Sequence, residues 1–429
     1  MFDSQKRYRV AVVGSGISGS SSAWFLSQQH DVTLFEKNPT LGGHTNTLDV
    51  TLRNGDHTPV DTGFIVYNEP NYPLLKAMFA HLQVDTYPTD MSFAVSIHQG
   101  RLEYAGNNLN TLFAHRKNLF SVKHWRMIAD ILRFNKLAKT DLVQGLPEQL
   151  TLGEYLTDNG FGQAMQQDYL LPMAAAIWSC PTDTMLKFPA QSFLQFFANH
   201  GLLNVNERPQ WRTVINGART YLEKILALNS FTVYQQGVTA VSLAQTPEQP
   251  IRLRTADGVE HKFDHVVFAC HADESYALLN DPSFDLLKNF TYQYNQAWLH
   301  TDPAQMPGKK LAWASWNYLS GENYQAERAV AVTYWMNALQ PLKTQEDVFV
   351  TLNPIVAPRA EYVLKTIDYQ HPVFDNQAIQ AQAQLPTIQG LKNCWFAGAY
   401  GGYGFHEDGL ASAVRVAKLW QVALPWDAA

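Results

Sequence analysis

The chain opens on a compact apolar run. Tyr8 to Val13 reads YRVAVV, β-branched and closed by glycine, the pattern of a parallel strand buried on both faces. Apolar residues then recur at helical spacing from Ile17 to about Gln29, and Val32 to Phe35 (VTLF) predicts a second strand. The same kinds of run return far downstream. Asp264 to Cys270 (DHVVFAC) predicts another buried strand, and Cys394 to Ala397 one more, which Gly398 ends. Small and apolar residues at Ala413, Val416, Ala417 and Trp420 predict a helix from Leu410 onward, preceded by the carboxylates Glu407 and Asp408. Ala329 to Trp335 (AVAVTYW) reads as a further strand. Buried strands alternating with helices predict an α/β fold.

The link between the first strand and the first helix carries chemistry. Gly14-Ser15-Gly16-Ile17-Ser18-Gly19 is G-x-G-x-x-G, and Glu36 follows Gly14 by 22 residues, at the end of the second strand. In this setting Gly14 permits the tight turn, Gly16 lets the backbone approach a pyrophosphate, and Gly19 lets the helix pack on the strand. The helix start at Ile17 and Ser18 offers unpaired N–H groups to the phosphates, and a carboxylate at Glu36, beside Lys37, accepts from a ribose. A second glycine pair, Gly42-Gly43, follows, with His44 after it.

Residues 10–47 resemble the N-terminal segment of the flavin-containing amine oxidase superfamily, which includes phytoene desaturases and protoporphyrinogen oxidases. Residues 393–420 are similar to its C-terminal flavin motif, in which a strand ends in Ala-Gly and a helix start faces the flavin ring. The resemblance implies a Rossmann-like, discontinuous FAD-binding domain (1–90, 205–280 and 385–429), a mainly helical substrate or lid region (91–204) and a strand-rich, mixed-sheet substrate region (281–384). It implies FAD as cofactor, with Gly398, Ala399, Gly409, Leu410 and Ala411 beside the flavin and Val238 against the adenine. Two departures stand out: Leu41 and His44 replace the arginines that flank the glycine pair in many relatives, and Ala399 replaces the usual acid. The segments DTGFIVYN, AWASWNY, VTYWMN and GAYGGYGFHEDG resemble more closely a bacterial subfamily of NAD/FAD-binding amine-oxidase-like proteins.

Composition narrows the rest. A chain of 429 residues, 46% hydrophobic and 16% charged, supports a large core in two or three domains. Its net charge of −6 argues against general nucleic-acid binding. Cys180, Cys270 and Cys394 are far apart and odd in number, so neither a disulfide framework nor a metal site is expected. With no apolar leader and no run of 18 apolar residues, a cytoplasmic protein is expected.

Flavin chemistry asks the protein for placement, electrostatics and exclusion of water. The candidate catalytic residues are His406, in a glycine-rich loop beside the expected ring, and the aromatic Tyr67, Tyr403 and Trp335. Trp313, Trp316, Tyr318, Tyr334, Tyr400 and Phe405 are further candidate walls. His406 is read as a general base or poising charge, against a local hydrogen-bond donor; Glu407 and Asp408 read equally as helix caps. The lysine that amine oxidases of the superfamily place near the flavin has no clear counterpart. Lys309 and Lys310 follow Met306-Pro307-Gly308, an exposed turn. The expectation is therefore an FAD-dependent oxidase or desaturase of a hydrophobic, acyl-lipid or isoprenoid substrate. The alternatives are a flavin amine oxidase and a non-catalytic flavin-binding or redox-sensing protein.

One stretch has a separate character. Residues 110–140 carry Arg116, Lys117, Lys123, Arg126, Arg133, Lys136 and Lys139 against the single acid Asp130, interleaved with Leu119, Phe120, Trp125 and Leu132. A basic amphipathic helix with aromatics suits the inner face of an anionic membrane; a solvated cationic face over a packed core is the alternative.

Overall fold

The computed structural model describes residues 6–97, 100–106, 108–147, 149–178, 182–204, 209–244, 246, 249–320 and 330–427. Cys180 and Ala329 lie outside the described residues.

In chain order, the first unit is β1 (Arg9–Val13), α1 (Ile17–Ser27) and β2 (Asp31–Phe35). The hairpin β3 (Thr47–Thr51) and β4 (His57–Asp61) follows, then β5 (Tyr67–Asn68), α2 (Pro73–His81) and β6 (Thr86–Thr89). Next come β7 (Phe93–Ile97), β8 (Leu102–Ala105), the long α3 (Val122–Gln144) and α4 (Ala190–Asn199), with shorter helices between these last two. The chain continues through β9 (Trp211–Val214), α5 (Arg219–Ala227), β10 (Thr232–Tyr234), β11 (Val238–Ser242), β12 (Ile251–Thr255), β13 (Glu260–Phe263), β14 (His265–Phe268) and α6 (Ala272–Leu279). Its last part holds β15 (Tyr292–His300), β16 (Trp316–Ser320), β17 (Val330–Trp335), β18 (Phe349–Leu352), β19 (Val363–Pro372), β20 (Cys394–Phe396) and α7 (His406–Leu419).

Four of the strands read from the sequence, β1, β2, β14 and β20, form with β10 one parallel sheet ordered β10-β2-β1-β14-β20. Val10, Val12, Leu34, Val266 and Val267 are fully buried, as strands covered on both faces require. Helices α1 and α7 cover one face, where Ile17, Phe25, Leu410, Ala413 and Trp420 share one core. The fold is thus a Rossmann-like domain whose strands come from widely separated parts of the chain.

The second body is a seven-stranded mixed sheet, β19-β15-β18-β17-β16-β7-β8. It takes β7 and β8 from the 91–204 segment, so that segment begins as strands and turns helical only from Leu109. FAVSI at β7 is nearly all buried because helices pack over it, which hides the alternation that marks a half-exposed strand. Among the described residues no helix is long and apolar enough to cross a membrane.

Candidate functional site

The three glycines of the first turn do different work. Gly14 has φ +101°, and a Cβ there would stand 2.9 Å from the Ala269 carbonyl oxygen. Gly19 is tighter still: a Cβ would come within 1.8 Å of the Gly14 oxygen, so α1 lies directly against the turn. Gly16 is the opposite. The nearest atom to a Cβ there is the Gly42 oxygen at 4.0 Å, leaving its flank open. Gly43, with φ +56°, folds back over Gly16, and a Cβ on it would lie 3.4 Å from the Gly16 Cα. The Gly42 N–H donates to Ser15 Oγ at 2.9 Å, closing this loop on the helix start.

Glu36, expected to meet a ribose, also braces the cradle. Its Oε2 accepts from the Ser15 N–H (3.0 Å) and hydroxyl (2.6 Å), and its Oε1 from the Asn38 N–H (2.8 Å). The Lys37 ammonium is directed away, onto Glu274. Val238 stands half-buried at the start of β11.

The C-terminal helix begins four residues earlier than the apolar spacing predicts, at His406. Glu407 and Asp408 therefore sit in its first turn rather than before it, and both are caps. Asp408 Oδ2 accepts from the N–H groups of Tyr403 (3.0 Å) and Phe405 (2.9 Å), fixing the glycine loop. Glu407 reaches across to α2 and accepts from Leu74 N–H (2.8 Å) and Leu75 N–H (2.9 Å). Burial pushes Asp408 up to about 6 and Glu407 up to about 7.

His406 is packed rather than presented. Its ring stacks on Phe64, centroids 3.9 Å apart at 8°, and its Nε2 lies 2.8 Å from the Tyr221 hydroxyl, which also bonds Thr45. Burial pushes its pKa down to about 3, so it is neutral at physiological pH. The arrangement gives His406 a positioning role, tying α7 to α5 and to the glycine-pair loop.

At Gly409 the two motifs meet. A Cβ there would stand 2.7 Å from Ile17 Cγ2, and the Ser18 hydroxyl donates to the Gly409 carbonyl at 3.0 Å. The N-terminal turns of α1 and α7, some 390 residues apart in sequence, are in contact. Two helix starts, each with unpaired N–H groups, thus converge at the C-terminal edge of the parallel sheet. Leu410 is fully buried and Ala411 half-buried in this turn. Gly398 is extended and packs on the Tyr400 ring, and Ala399 starts the turn that follows.

The remaining candidates separate. Tyr403 stands in the glycine loop beside α7, near Phe196 and Phe405. Tyr67 is a core residue, edge-on to Phe79. Trp335 donates its indole N–H to Asp347 at 2.9 Å and meets Trp313 edge-on. Tyr318 and Tyr400 are buried core, and Trp316 meets Tyr334 edge-to-face.

Two groupings escaped the sequence reading, although His44 in one and Phe405 in the other were candidates. One is a set of histidines. His44 stacks on Tyr369 (4.8 Å) with His371 at 5.2 Å, and His271, just past β14, stacks on Tyr292 (4.3 Å). His44 Nε2 and His271 Nδ1 are buried without a partner among the described residues. Burial, then the neighbouring histidines, push His44 well below its usual range, so it too is neutral. The position of His271 was its available signal, since ligands of parallel sheets collect at strand C-termini. The other group is aromatic: Phe196, Phe405, His200 and Trp211 run in series from the start of α7, with Phe196 and Phe405 stacked at 5.1 Å and His200 and Phe196 at 3.9 Å. Nothing in their spacing links α4, β9 and the glycine loop.

Comparison with known proteins agrees with this architecture. Residues 12–82 match the family model of the NAD(P)-binding Rossmann-like domain. A comparison with curated proteins returns no match. Among solved structures, the chain is similar to a CLA-producing fatty acid isomerase from P. acnes (15% identity, TM-score 0.68, covering 98% of this chain and 99% of that one). It is also similar to cyclohexylamine oxidase from Brevibacterium oxydans IH-35A (12%, 0.65, 97% and 100%) and to wild-type putrescine oxidase bound to putrescine (13%, 0.65, 97% and 100%). At these identities the likeness establishes the fold, over nearly the whole of each chain. The chain therefore shares the fold of amine oxidases and of a fatty acid isomerase, built on a Rossmann-like dinucleotide-binding unit.

Proposed function

We propose that the protein is an FAD-dependent oxidoreductase that removes hydride from a hydrophobic substrate. The observation that carries the reading is the convergence of the open Gly16 cradle with the start of α7, beside buried imidazole nitrogens that lack partners among the described residues. A cradle with an open flank, two helix starts and orphaned polar atoms fits a long anionic dinucleotide. Gly16, Ile17 and Ser18 would hold the pyrophosphate, Glu36 the adenosine ribose and Val238 the adenine. Gly398, Ala399, Gly409, Leu410 and Ala411 would border the flavin ring. When bound, the cofactor supplies the hydride acceptor.

The chain supplies the rest. The N–H groups at the start of α7 favour negative charge on the group they face. Phe196, Phe405, Tyr403 and Trp211 form an aromatic wall that excludes water and presses an apolar substrate into place. A hydrophobic substrate is favoured over an amine by the lysines. Lys310 is exposed, over the Trp313 ring and 3.8 Å from Asp347, and Lys309 follows the Gly308 turn, its backbone N–H on Glu103.

An absorption spectrum of the purified protein, followed by anaerobic titration, tests the proposal. Flavin bands that bleach with unsaturated or methylated acyl lipids, and not with amines, are expected. A colourless protein that cannot be reconstituted with FAD would sink it.

His44 offers a sharper check of the cradle. Because its Nε2 bonds nothing among the described residues, His44→Phe, which keeps a ring on Tyr369, should leave thermal stability nearly unchanged and weaken FAD binding about tenfold, the loss of one hydrogen bond. Since His44 is held neutral, FAD affinity should show no step from its titration between pH 6 and 8. Fluorescence-monitored FAD titrations at several pH values measure both. Equal affinity in the variant would remove His44 from the site.

A further inference from the structure

The solvent-facing side of α3 is unusual for a surface helix. His124, Met127, Phe134 and Ala138 point into the core, as the helical period demands. The outward face is not simply polar. Val122, Trp125, Ala129 and Leu132 run along it at intervals of three and four, and all are exposed. The preceding turn, Arg116–Phe120, extends the row with Leu119 and Phe120. Phe120 is 90% exposed, Val122 65% and Trp125 49%. Isolated exposed apolar residues are ordinary; so many within a few residues mark an interaction surface.

The tip is built rather than frayed. The Trp125 indole N–H donates to the Leu119 carbonyl at 2.9 Å, and its ring packs on Phe113 at 5.1 Å. The Ser121 hydroxyl accepts from the His124 N–H at 3.3 Å and caps α3. Arg116 hydrogen-bonds the Phe113 carbonyl (3.1 Å) and the Asn110 side chain (2.6 Å). These bonds hold Phe120 outward.

Charge identifies the partner. Arg116, Lys117 and Arg126 are exposed around the apolar row, with Lys136 and Lys139 further along the helix. The acids of this region are engaged: Asp130 pairs with Arg133 (3.1 Å), and Asp168 with Lys123 (2.7 Å). The patch is therefore cationic on a chain whose net charge is −6, so its sign is a local feature. An apolar row edged by cations complements an anionic bilayer, whose headgroups take the charges while the acyl boundary takes the rings. We propose that the Arg116–Phe120 turn and the outer face of α3 dock on an anionic lipid membrane, with Phe120, Val122 and Trp125 inserted and Lys117 and Arg126 on the headgroups. This inference does not depend on the bound cofactor.

The test is co-sedimentation of the full-length protein with vesicles of phosphatidylcholine alone or with about a third phosphatidylglycerol, at low and high salt. Binding to the anionic vesicles at low salt is expected, with little to the neutral ones. Phe120→Ser should weaken it about tenfold, and Lys117→Glu with Arg126→Glu on the order of thirtyfold. All three side chains are exposed, so melting temperatures should match the wild type and loss of binding cannot be ascribed to misfolding. No anionic-vesicle binding at low salt, or binding unaltered in Phe120→Ser, would overturn the proposal. So would self-association abolished by Phe120→Ser in a protein that ignores vesicles, which would assign the face to a second copy of the chain.

Discussion

Gly16→Ala should fold normally and lose most of its affinity for FAD, whereas Gly19→Ala, three residues on, should lose stability. The contrast follows from what a Cβ meets. At Gly16 the nearest atom is 4.0 Å away, and φ of −57° is open to any residue. An alanine there causes no internal clash, but its methyl occupies the flank from which the backbone must approach a phosphate. Affinity should fall by about a hundredfold, on the order of 3 kcal/mol, with little change in melting temperature. At Gly19 the methyl would lie 1.8 Å from the Gly14 oxygen and 3.2 Å from the Ala269 Cβ. Helix α1 would have to lift from β1 and β14, and overpacking of that kind costs at least about 1–3 kcal/mol. Thermal melts with and without FAD separate the two effects. A Gly16→Ala protein that binds FAD like the wild type would show that the cradle serves the fold and not a ligand.

Much of the Rossmann unit was legible because its strands are buried on both faces. YRVAVV, VTLF and DHVVFAC need no partner information to be read as strands, and the glycines declare the turn between β1 and α1. The start of α7 was not legible. His406, Glu407 and Asp408 look like loop residues, yet His406 bonds Tyr221, Glu407 reaches the start of α2, and Asp408 folds the adjoining glycine loop onto the helix start. Propensity cannot see that Glu407, in the first turn of α7, caps a helix some 330 residues away. The same limit applies to the site. His44 was found from its place after a glycine pair, but its company with His371 and His271 exists only once β19 and β14 are set beside the cradle. Tyr67 and Trp335 illustrate the converse: aromatic side chains near a motif are as readily core or edge packing as pocket wall.

Asp61 should be the residue whose removal costs the fold most through a single side chain. It is fully buried, yet three parts of the chain donate to it: the Thr47 hydroxyl at 2.5 Å, the Ala218 N–H at 2.9 Å and the Gln340 amide at 2.8 Å. Its own N–H returns a bond to Gln340 Oε1 at 3.0 Å. The β3–β4 hairpin, the turn before α5 and the segment after β17 are thereby fastened together. Asp61→Ala leaves three buried donors unsatisfied, each worth about 1–3 kcal/mol, so a loss of roughly 3–5 kcal/mol is expected. Asp61→Asn keeps the shape and loses less, and it isolates the charge. Burial outweighs the donated hydrogen bonds and pushes Asp61 up to about 7, the direction in which Glu407 and Asp408 also move. A carboxyl whose folded pKa is raised binds its proton more tightly in the folded state. Its stabilisation is therefore full below the unfolded value of roughly 4 and is lost as pH rises through the folded value. Wild-type stability should accordingly fall from pH 5 to pH 7, and Asp61→Asn should flatten that fall by up to about 1.4 kcal/mol per pH unit, one proton's share. Urea unfolding at three pH values across this range measures the slope. An Asp61→Asn slope equal to the wild type's would mean that the hydrogen bonds keep Asp61 ionised throughout, and that the acid-side stability comes from the α7 carboxylates alone.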